Sequence, residues 1–550
     1  MACGVERQLE GLLGRHPQVW VNPPRGELIR EAISRREALV AESGALATWT
    51  PPDSTGRRPQ DTYIVDSPEV HATVDWNSPY CQPLAPETLD MLLSDALATL
   101  AKKPRLYVTD RVLGADPTYA LPVRTVTDRA LVALFTDNMF RPATADLSRS
   151  RFAGRGFSLL VLPYDRLSPG RYQGRLRFDP EVGRTSDVAV VMDFSRRIGL
   201  VYGSAYLGSV KKLMFTVLNW LLPEVGVLPL HCGASEGPQG DVALFLGLSG
   251  TGKTSLSSDP TRRLIGDDEH GWMETGIFNM EGGCYAKLID LAREKEPDIW
   301  WAVMHPAPPE EHGAIVENAM VYPDGRFDFS DRRLTENSRA SYPLWFVKNA
   351  KVEGVGRHPR ALLFLTADAN GVLPPIAVLT PEQAMLWFLM GYTSKVAGTE
   401  TGVVAPVSTF SRFFGAPFMP RLPRVYAGLL GQYLGRYGAR VYLVNTGWSG
   451  GPYGMGNRID IRLTRAMVRA AISGVLDKVE LREDRRFHLL VPCSCPGVPA
   501  RVLWPRDTWR DKRAYDRRAA ALAQEFARQF EAAFSGQGIP PEVAAQCPGR

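Results

Sequence analysis

Gly247-Leu248-Ser249-Gly250-Thr251-Gly252-Lys253-Thr254 is the segment from which the rest of the chain is best read. It follows the apolar run Asp241-Val-Ala-Leu-Phe-Leu246, which predicts a buried strand, and it leads into Ser255-Leu-Ser257, which opens a helix. Strand, glycine loop and helix come in the order a phosphate cradle needs. The glycines let backbone N–H groups point inward, and the helix N-terminus adds positive potential. Lys253 supplies a full charge to the β- and γ-phosphates of a nucleotide, and Thr254 offers a hydroxyl to a phosphate-bound Mg²⁺.

A second signal follows in Arg263-Leu-Ile-Gly-Asp267-Asp268-Glu-His-Gly-Trp272. An apolar strand that ends in paired carboxylates is where a nucleotide enzyme with such a loop holds its metal, which favours phosphoryl transfer over passive binding. The whole chain sets wider bounds. At 550 residues it predicts two large domains, and 45% hydrophobic with 22% charged residues is ordinary for a globular protein. A net charge of +5 with acids and bases interspersed gives local anion sites, not a nucleic-acid surface. Seven scattered cysteines fit a reducing compartment, and Cys493-Ser-Cys495 lacks the spacing of a zinc site. Neither a leader pattern nor a membrane span is visible, so a cytoplasmic location is expected.

Taken in order, residues 26–43 place Leu28, Ile29, Ala32, Ile33 and Leu39 on one predicted helical face. Residues 48–65 form a Pro- and Gly-marked loop that feeds a strand. From 85 to 205, helices at 86–102 and 127–138 alternate with strands near 106–108, 158–162 and 188–192, and Arg197-Ile198 marks a reversal. A glycine-marked turn at 202–208 enters a helix that buries Leu213, Val217, Leu218 and Leu221. His231 ends an apolar strand, residues 381–396 predict a helix, and 441–458 read as another strand and glycine loop. The Arg-rich stretch 511–534 predicts a solvated terminal helix. On the residues alone, Arg57, Arg58, Lys211, Lys212, Lys287 and Arg339 are surface charges and His231 is a hydrogen-bonded core histidine.

Several motifs in one order change that reading. Gly247 to Ser257, Leu264-Ile-Gly-Asp-Asp-Glu-His-Gly-Trp272, Glu281-Gly-Gly-Cys-Tyr-Ala-Lys287, Thr335-Glu-Asn-Ser-Arg339, Val372-Leu-Pro-Pro375 and Val444-Asn-Thr-Gly-Trp448 resemble the ATP-utilising phosphoenolpyruvate carboxykinases over most of the chain beyond residue 200. The resemblance implies an α/β protein of two mixed α/β domains with the active site in the cleft between them. A substrate-binding domain is expected over residues 1–225. Over 226–550 a nucleotide- and metal-binding domain is expected, containing the phosphate loop. It makes Arg57 in Thr55-Gly-Arg57 a grip for an oxaloacetate carboxylate, and Tyr206 a substrate contact. Lys212, His231 and Asp268 become the ligands of Mn²⁺, while Thr254 serves Mg²⁺ with the phosphates of ATP. A lysine ligates only when neutral, and a nearby cation and burial both push its pKa down. Lys253, Lys287 and Arg339 would offset charge on the moving phosphoryl group, and Arg458 and Thr464 match adenosine-contacting positions. Glu269, His270 and Cys284 read as packing or support. Arg58, Ser209 and Asn457 depart from the residues usual at their positions.

The reaction so implied belongs to gluconeogenesis. Oxaloacetate loses CO₂ to leave a metal-stabilised enolate, and ATP phosphorylates that enolate to phosphoenolpyruvate with release of ADP. Asp267 would orient water on Mg²⁺ and not act as a base, because no proton has to be removed. The expected partners are these small molecules, without nucleic acid or membrane, in a monomer or small homo-oligomer. Two other functions are compatible with the glycine loop. One is a small-molecule or protein kinase with Asp267 or Asp268 as base; the other is an ATP-binding regulator without catalysis.

Overall fold

A computed structural model describes residues 2–143, 147–248, 250–257, 259–395 and 406–550. The chain packs as two α/β units, one formed by Met1–Val225 with Asn279–Gly354 and the other by Gly226–Phe278 with Val355–Arg550. The chain passes from the first unit to the second after Val225 and returns to the first for residues 279–354.

In the first unit the main sheet runs, edge to edge, through Val19–Val21, Leu106–Leu113, Leu121–Thr127, Phe157–Leu162, Ile198–Tyr202, Ala189–Asp193, Thr62–Val65 and Gln82–Leu84. It mixes parallel and antiparallel pairs, and the reversal between Ala189–Asp193 and Ile198–Tyr202 turns on Arg197 at φ 57°. Helix Pro86–Leu100 lays Leu89, Leu92, Leu93, Ala96 and Leu100 into the core on this sheet. A second sheet explains why 279–354 belong here. Its order is Gly283–Lys287, Arg339–Pro343, Ile315–Glu317, Leu46–Thr48, Leu39–Val40, so the returning segment completes a sheet begun near residue 40. Buried Asn138 fixes the arrangement by donating to the Gly313 and Ser341 carbonyls at 3.0 and 3.3 Å.

Helix Arg25–Ser34 is shorter than its apolar spacing suggests. Arg36 takes a left-handed φ of 56°, and the chain continues as the hairpin Leu39–Val40 and Leu46–Thr48. Leu39, placed by the spacing on the helical face, is exposed on that edge strand. The hairpin demands Gly44, whose added Cβ would lie 2.2 Å from the Ala307 carbonyl oxygen.

In the second unit one large sheet centres on three parallel strands, Val242–Leu246, Pro359–Thr366 and Arg440–Asn445. Strand Leu228–Glu236 pairs antiparallel with Val242–Leu246, Arg263–Gly266 and Glu269–Met273. The central strands are covered on both faces, which is why they read as unbroken apolar runs and not as alternation. Helix Pro381–Met390 starts in a capping box between Thr380 and Gln383 and stops at left-handed Gly391. The sequence predicts this helix as far as 396, but residues 392–395 form a strand, and Val396 lies outside the described residues. Helix Lys512–Phe534, capped by Asp511, is not merely solvated. Its Tyr515, Ala519, Leu522, Ala523, Phe526, Phe530 and Phe534 form one buried stripe in the core of the second unit. Among the described residues, no helix is long and apolar enough to cross a membrane.

Candidate functional site

In the second unit the segment 247–252 leaves strand Val242–Leu246 and enters the short helix Lys253–Ser257. Gly250 and Gly252 take φ values of 83° and 92°, a region that only glycine enters without strain. Gly247 is fixed for a different reason: a Cβ there would lie 2.5 Å from Thr251 Oγ1 and 2.9 Å from Leu365 Cβ. Thr251 closes the turn by donating its hydroxyl to the Leu248 carbonyl at 2.8 Å. Ser249 and the side chain of Thr254 lie outside the described residues.

The loop is braced from the segment that follows strand Arg440–Asn445. Thr446 donates its hydroxyl to the Thr251 carbonyl at 2.9 Å. Arg458 donates from Nη2 to the Gly250 carbonyl at 2.9 Å and from Nε to the Thr446 carbonyl at 3.0 Å. Burial holds the Arg458 guanidinium below its usual range. Arg458, matched by resemblance to an adenosine contact, is thus bonded to the loop backbone. Thr464 is buried, and its hydroxyl turns back to the Asp460 carbonyl at 3.4 Å in the first turn of its own helix.

Asp267 and Asp268 fill the turn between strands Arg263–Gly266 and Glu269–Met273, and both are half-buried. Asp268 Oδ1 meets two groups, Lys253 Nζ at 2.6 Å and His231 Nε2 at 3.1 Å. His231 lies within strand Leu228–Glu236, not at its end. Its Nδ1 stands 2.7 Å from the Phe414 carbonyl oxygen. A carbonyl only accepts, so the proton is on Nδ1 and Nε2 is the atom turned toward Asp268. Phe413 and Phe414 both take left-handed φ values, 62° and 55°, to present that carbonyl. One imidazole nitrogen and one carboxylate oxygen, with the ring held from behind, are a donor set that fits a divalent transition-metal cation. His270 is fully buried with Nδ1 2.8 Å from the Cys232 carbonyl oxygen, a core role.

The first unit carries the other candidates. Tyr206 is buried ahead of helix Gly208–Leu221, and its ring lies over the α-carbon of Gly208, where a Cβ would meet it at 2.3 Å. In that helix Lys211 is buried against Glu281 at 2.8 Å. Lys212, half-buried, turns elsewhere, with its Nζ 4.8 Å from the Phe215 ring centroid. Arg57 is exposed on its loop, where the Thr55 carbonyl accepts from Asn337 Nδ2 at 3.0 Å. Asn337 also accepts from Arg339 Nε at 3.0 Å, so one amide ties the Arg57 loop to Arg339. Arg339 stands opposite Lys287 across the paired strands, and burial followed by the Arg339 charge lowers the Lys287 pKa. Arg58, assigned no role from the sequence, closes its own loop through Asp53 and Asp61. Ser209 bonds Ser204 at 2.8 Å, and Asn457 is exposed.

Sequence reasoning passed over Asn337, Tyr285, Phe414 and Glu317. The first two sit inside quoted motifs, and strand alternation alone puts Tyr285 on the face of Lys287. Nothing local marks Phe414, because its contribution is a backbone carbonyl.

A profile of the phosphoenolpyruvate carboxykinase family matches residues 17–501, which includes every element of the glycine loop, the Asp267-Asp268 turn and the Tyr206 segment. The chain belongs to that family. It is 49% identical over 544 residues to the phosphoenolpyruvate carboxykinase (ATP) 2 of Moorella thermoacetica, with 98% of each chain covered. It is 46% identical over 542 residues to the phosphoenolpyruvate carboxykinase (ATP) of Thermus thermophilus, again with 98% of each covered. A third carboxykinase (ATP), from Geobacillus kaustophilus, is 48% identical over 522 residues, with 94% of each chain covered.

Proposed function

We propose that this chain converts oxaloacetate and ATP to phosphoenolpyruvate, ADP and CO₂. The observation that carries the proposal is the meeting of Lys253 and His231 on one oxygen of Asp268 beside a glycine loop, in a chain of the carboxykinase family. The loop 247–254 is taken as the phosphate cradle, with Lys253 leaving Asp268 for the β- and γ-phosphates when a nucleotide arrives. His231, Asp268 and Lys212 would hold Mn²⁺. Thr254 would hold Mg²⁺ with the phosphates, and Asp267 would orient its water. Bound divalent cations offset negative charge on the oxaloacetate oxygens and on the phosphates.

Arg57 grips an oxaloacetate carboxylate, and Tyr206 packs against the substrate. The bond to the departing carboxylate breaks and its electron pair passes to the keto oxygen. That oxygen attacks the γ-phosphorus of ATP, and ADP leaves. Arg339 and Lys287, adjacent on the small sheet, spread the charge of the transferring group. Water must be kept out while the enol oxygen is reactive, because protonation at carbon would give pyruvate. The protein works with small molecules in the cytoplasm, in gluconeogenesis.

The test is phosphoenolpyruvate and CO₂ formation from oxaloacetate, with Mn²⁺ and Mg²⁺ varied separately and ATP compared with GTP. Product formation that needs oxaloacetate, ATP and a divalent cation, and is lost in a folded, ATP-binding His231→Ala variant, is expected. ATP turnover indifferent to oxaloacetate overturns the proposal.

A further inference from the structure

One carboxylate outside the quoted motifs is linked to three candidates of the first unit, Tyr206, Arg339 and Lys287. Glu317 ends strand Ile315–Glu317 and is 1% exposed. Its Oε1 accepts the Leu207 N–H at 3.0 Å, and its Oε2 accepts the Tyr285 hydroxyl. Leu207 is the residue after Tyr206, and the Tyr285 ring packs against the Tyr206 ring at 5.9 Å between centroids. The same Tyr285 ring lies under the Arg339 guanidinium at 5.8 Å. In the sheet Glu317 stands opposite Arg339, which stands opposite Lys287. Because side chains directly across a sheet share a face, the carboxylate and both cations form one row.

The surroundings make this contact more than filling. A cavity of about 260 Å³ is lined by Glu317, Ala205, Leu207, Arg129 and Tyr164, so part of the surface of the 205–207 segment borders open space. Its carbonyls at Tyr206 and Leu207 accept from Ser209 and Val210 of the following helix, and its N–H groups are held from elsewhere: Ser54 Oγ accepts the Ala205 N–H at 2.9 Å, and Glu317 accepts that of Leu207. A void beside these attachments gives the segment somewhere to go if the Glu317 bond is lost. A buried carboxylate is costly where an amide or an apolar side chain would fill the space, and burial pushes the Glu317 carboxyl up to about 7.

We infer that Glu317 is a positioning residue for oxaloacetate: it fixes the Tyr206 ring through Leu207 and Tyr285. It touches no substrate itself. The inference rests on the proposed roles of Tyr206 and Arg339, and the experiment separates the two.

Steady-state kinetics with oxaloacetate and with ATP are measured for wild type, Tyr206→Ala, Glu317→Ala, Glu317→Gln and Tyr285→Phe. Glu317→Ala is expected to raise the oxaloacetate KM about tenfold or more while the ATP KM moves less than twofold. Glu317→Gln keeps an acceptor for Leu207 and should recover most of that loss. Tyr285→Phe keeps the ring, loses the hydroxyl bond and should fall between. An oxaloacetate KM unchanged in Glu317→Ala, or one that rises together with the ATP KM, overturns the inference. Should Glu317→Ala fail to fold, an unchanged oxaloacetate KM in Tyr285→Phe overturns it equally. If Tyr206→Ala leaves the oxaloacetate KM unchanged, the substrate role of Tyr206 is what falls. If Tyr206→Ala raises it and the Glu317 variants do not, only the Glu317 inference fails.

Discussion

Replacing Arg458 by lysine tests whether the glycine loop is shaped by the segment that braces it. The guanidinium serves two carbonyls at once, Gly250 through Nη2 at 2.9 Å and Thr446 through Nε at 3.0 Å. A lysine ammonium has no planar fork and can satisfy one of them at best. A hydrogen bond from a charged donor contributes about 1.5–3 kcal/mol, and part of that loss falls on the loop and not on overall stability. Nucleotide affinity is therefore expected to drop by about 1–2 kcal/mol, roughly 5- to 30-fold. The assay is calorimetric titration of Arg458→Lys with ADP and, separately, with inorganic tripolyphosphate. If Arg458 works by holding the Gly250 backbone, both ligands weaken by the same factor, since both use the cradle. Weakened ADP with unaltered tripolyphosphate would mean that the residue reads the nucleoside. Unchanged affinity for both would refute the bracing argument.

Three further outcomes follow from the same geometry. Lys253→Met removes the cation 2.6 Å from Asp268 Oδ1, so Mn²⁺ binding without nucleotide, followed by electron paramagnetic resonance, should tighten by about fivefold; weakened binding would contradict it. Gly247→Ala sets a methyl against Thr251 and Leu365, and overpacking of about 1–3 kcal/mol should abolish most nucleotide binding while circular dichroism is unchanged; retained affinity would show that the loop has slack. Burial holds His312, stacked on His305 at 4.3 Å, down to about 4, against 6.5 for an unburied imidazole. The fold therefore keeps a neutral ring, whose contribution is present above pH 6.5 and lost as pH falls through 4. The loss amounts to about 3 kcal/mol by linkage. Urea midpoints of wild type should fall by more than those of His312→Asn between pH 7 and pH 4, and parallel falls would refute the assignment.

What could be read from the sequence was the part written in local pattern. The strand at 242–246, the glycine loop, the paired aspartates and the helix after Gly208 are contiguous signals, and each lies where its residues place it. Reading failed where distant segments set the outcome. Leu39 fits a helical face by spacing, but the strand at 315–317 recruits its neighbours 46–48 into a sheet, and the helix stops at Ser34. Helix Lys512–Phe534 looks solvated by charge count, yet its buried stripe meets a core whose other parts begin some three hundred residues earlier. The candidate site divides in the same way. Charged residues in motifs were nameable, whereas Asn337, Tyr285, Glu317 and the Phe414 carbonyl matter through partners that no window of sequence contains.

The return of residues 279–354 to the first unit has a consequence for how the chain matures. Strand Leu46–Thr48 emerges from the ribosome long before its parallel neighbour Ile315–Glu317, and until that neighbour is translated it presents an unsatisfied edge. Neither unit can finish as an independent early product, since each is stitched from two stretches of chain. A fragment cut after residue 225 would thus carry an open sheet flank, prone to self-association, even though that point is a true crossing between the units.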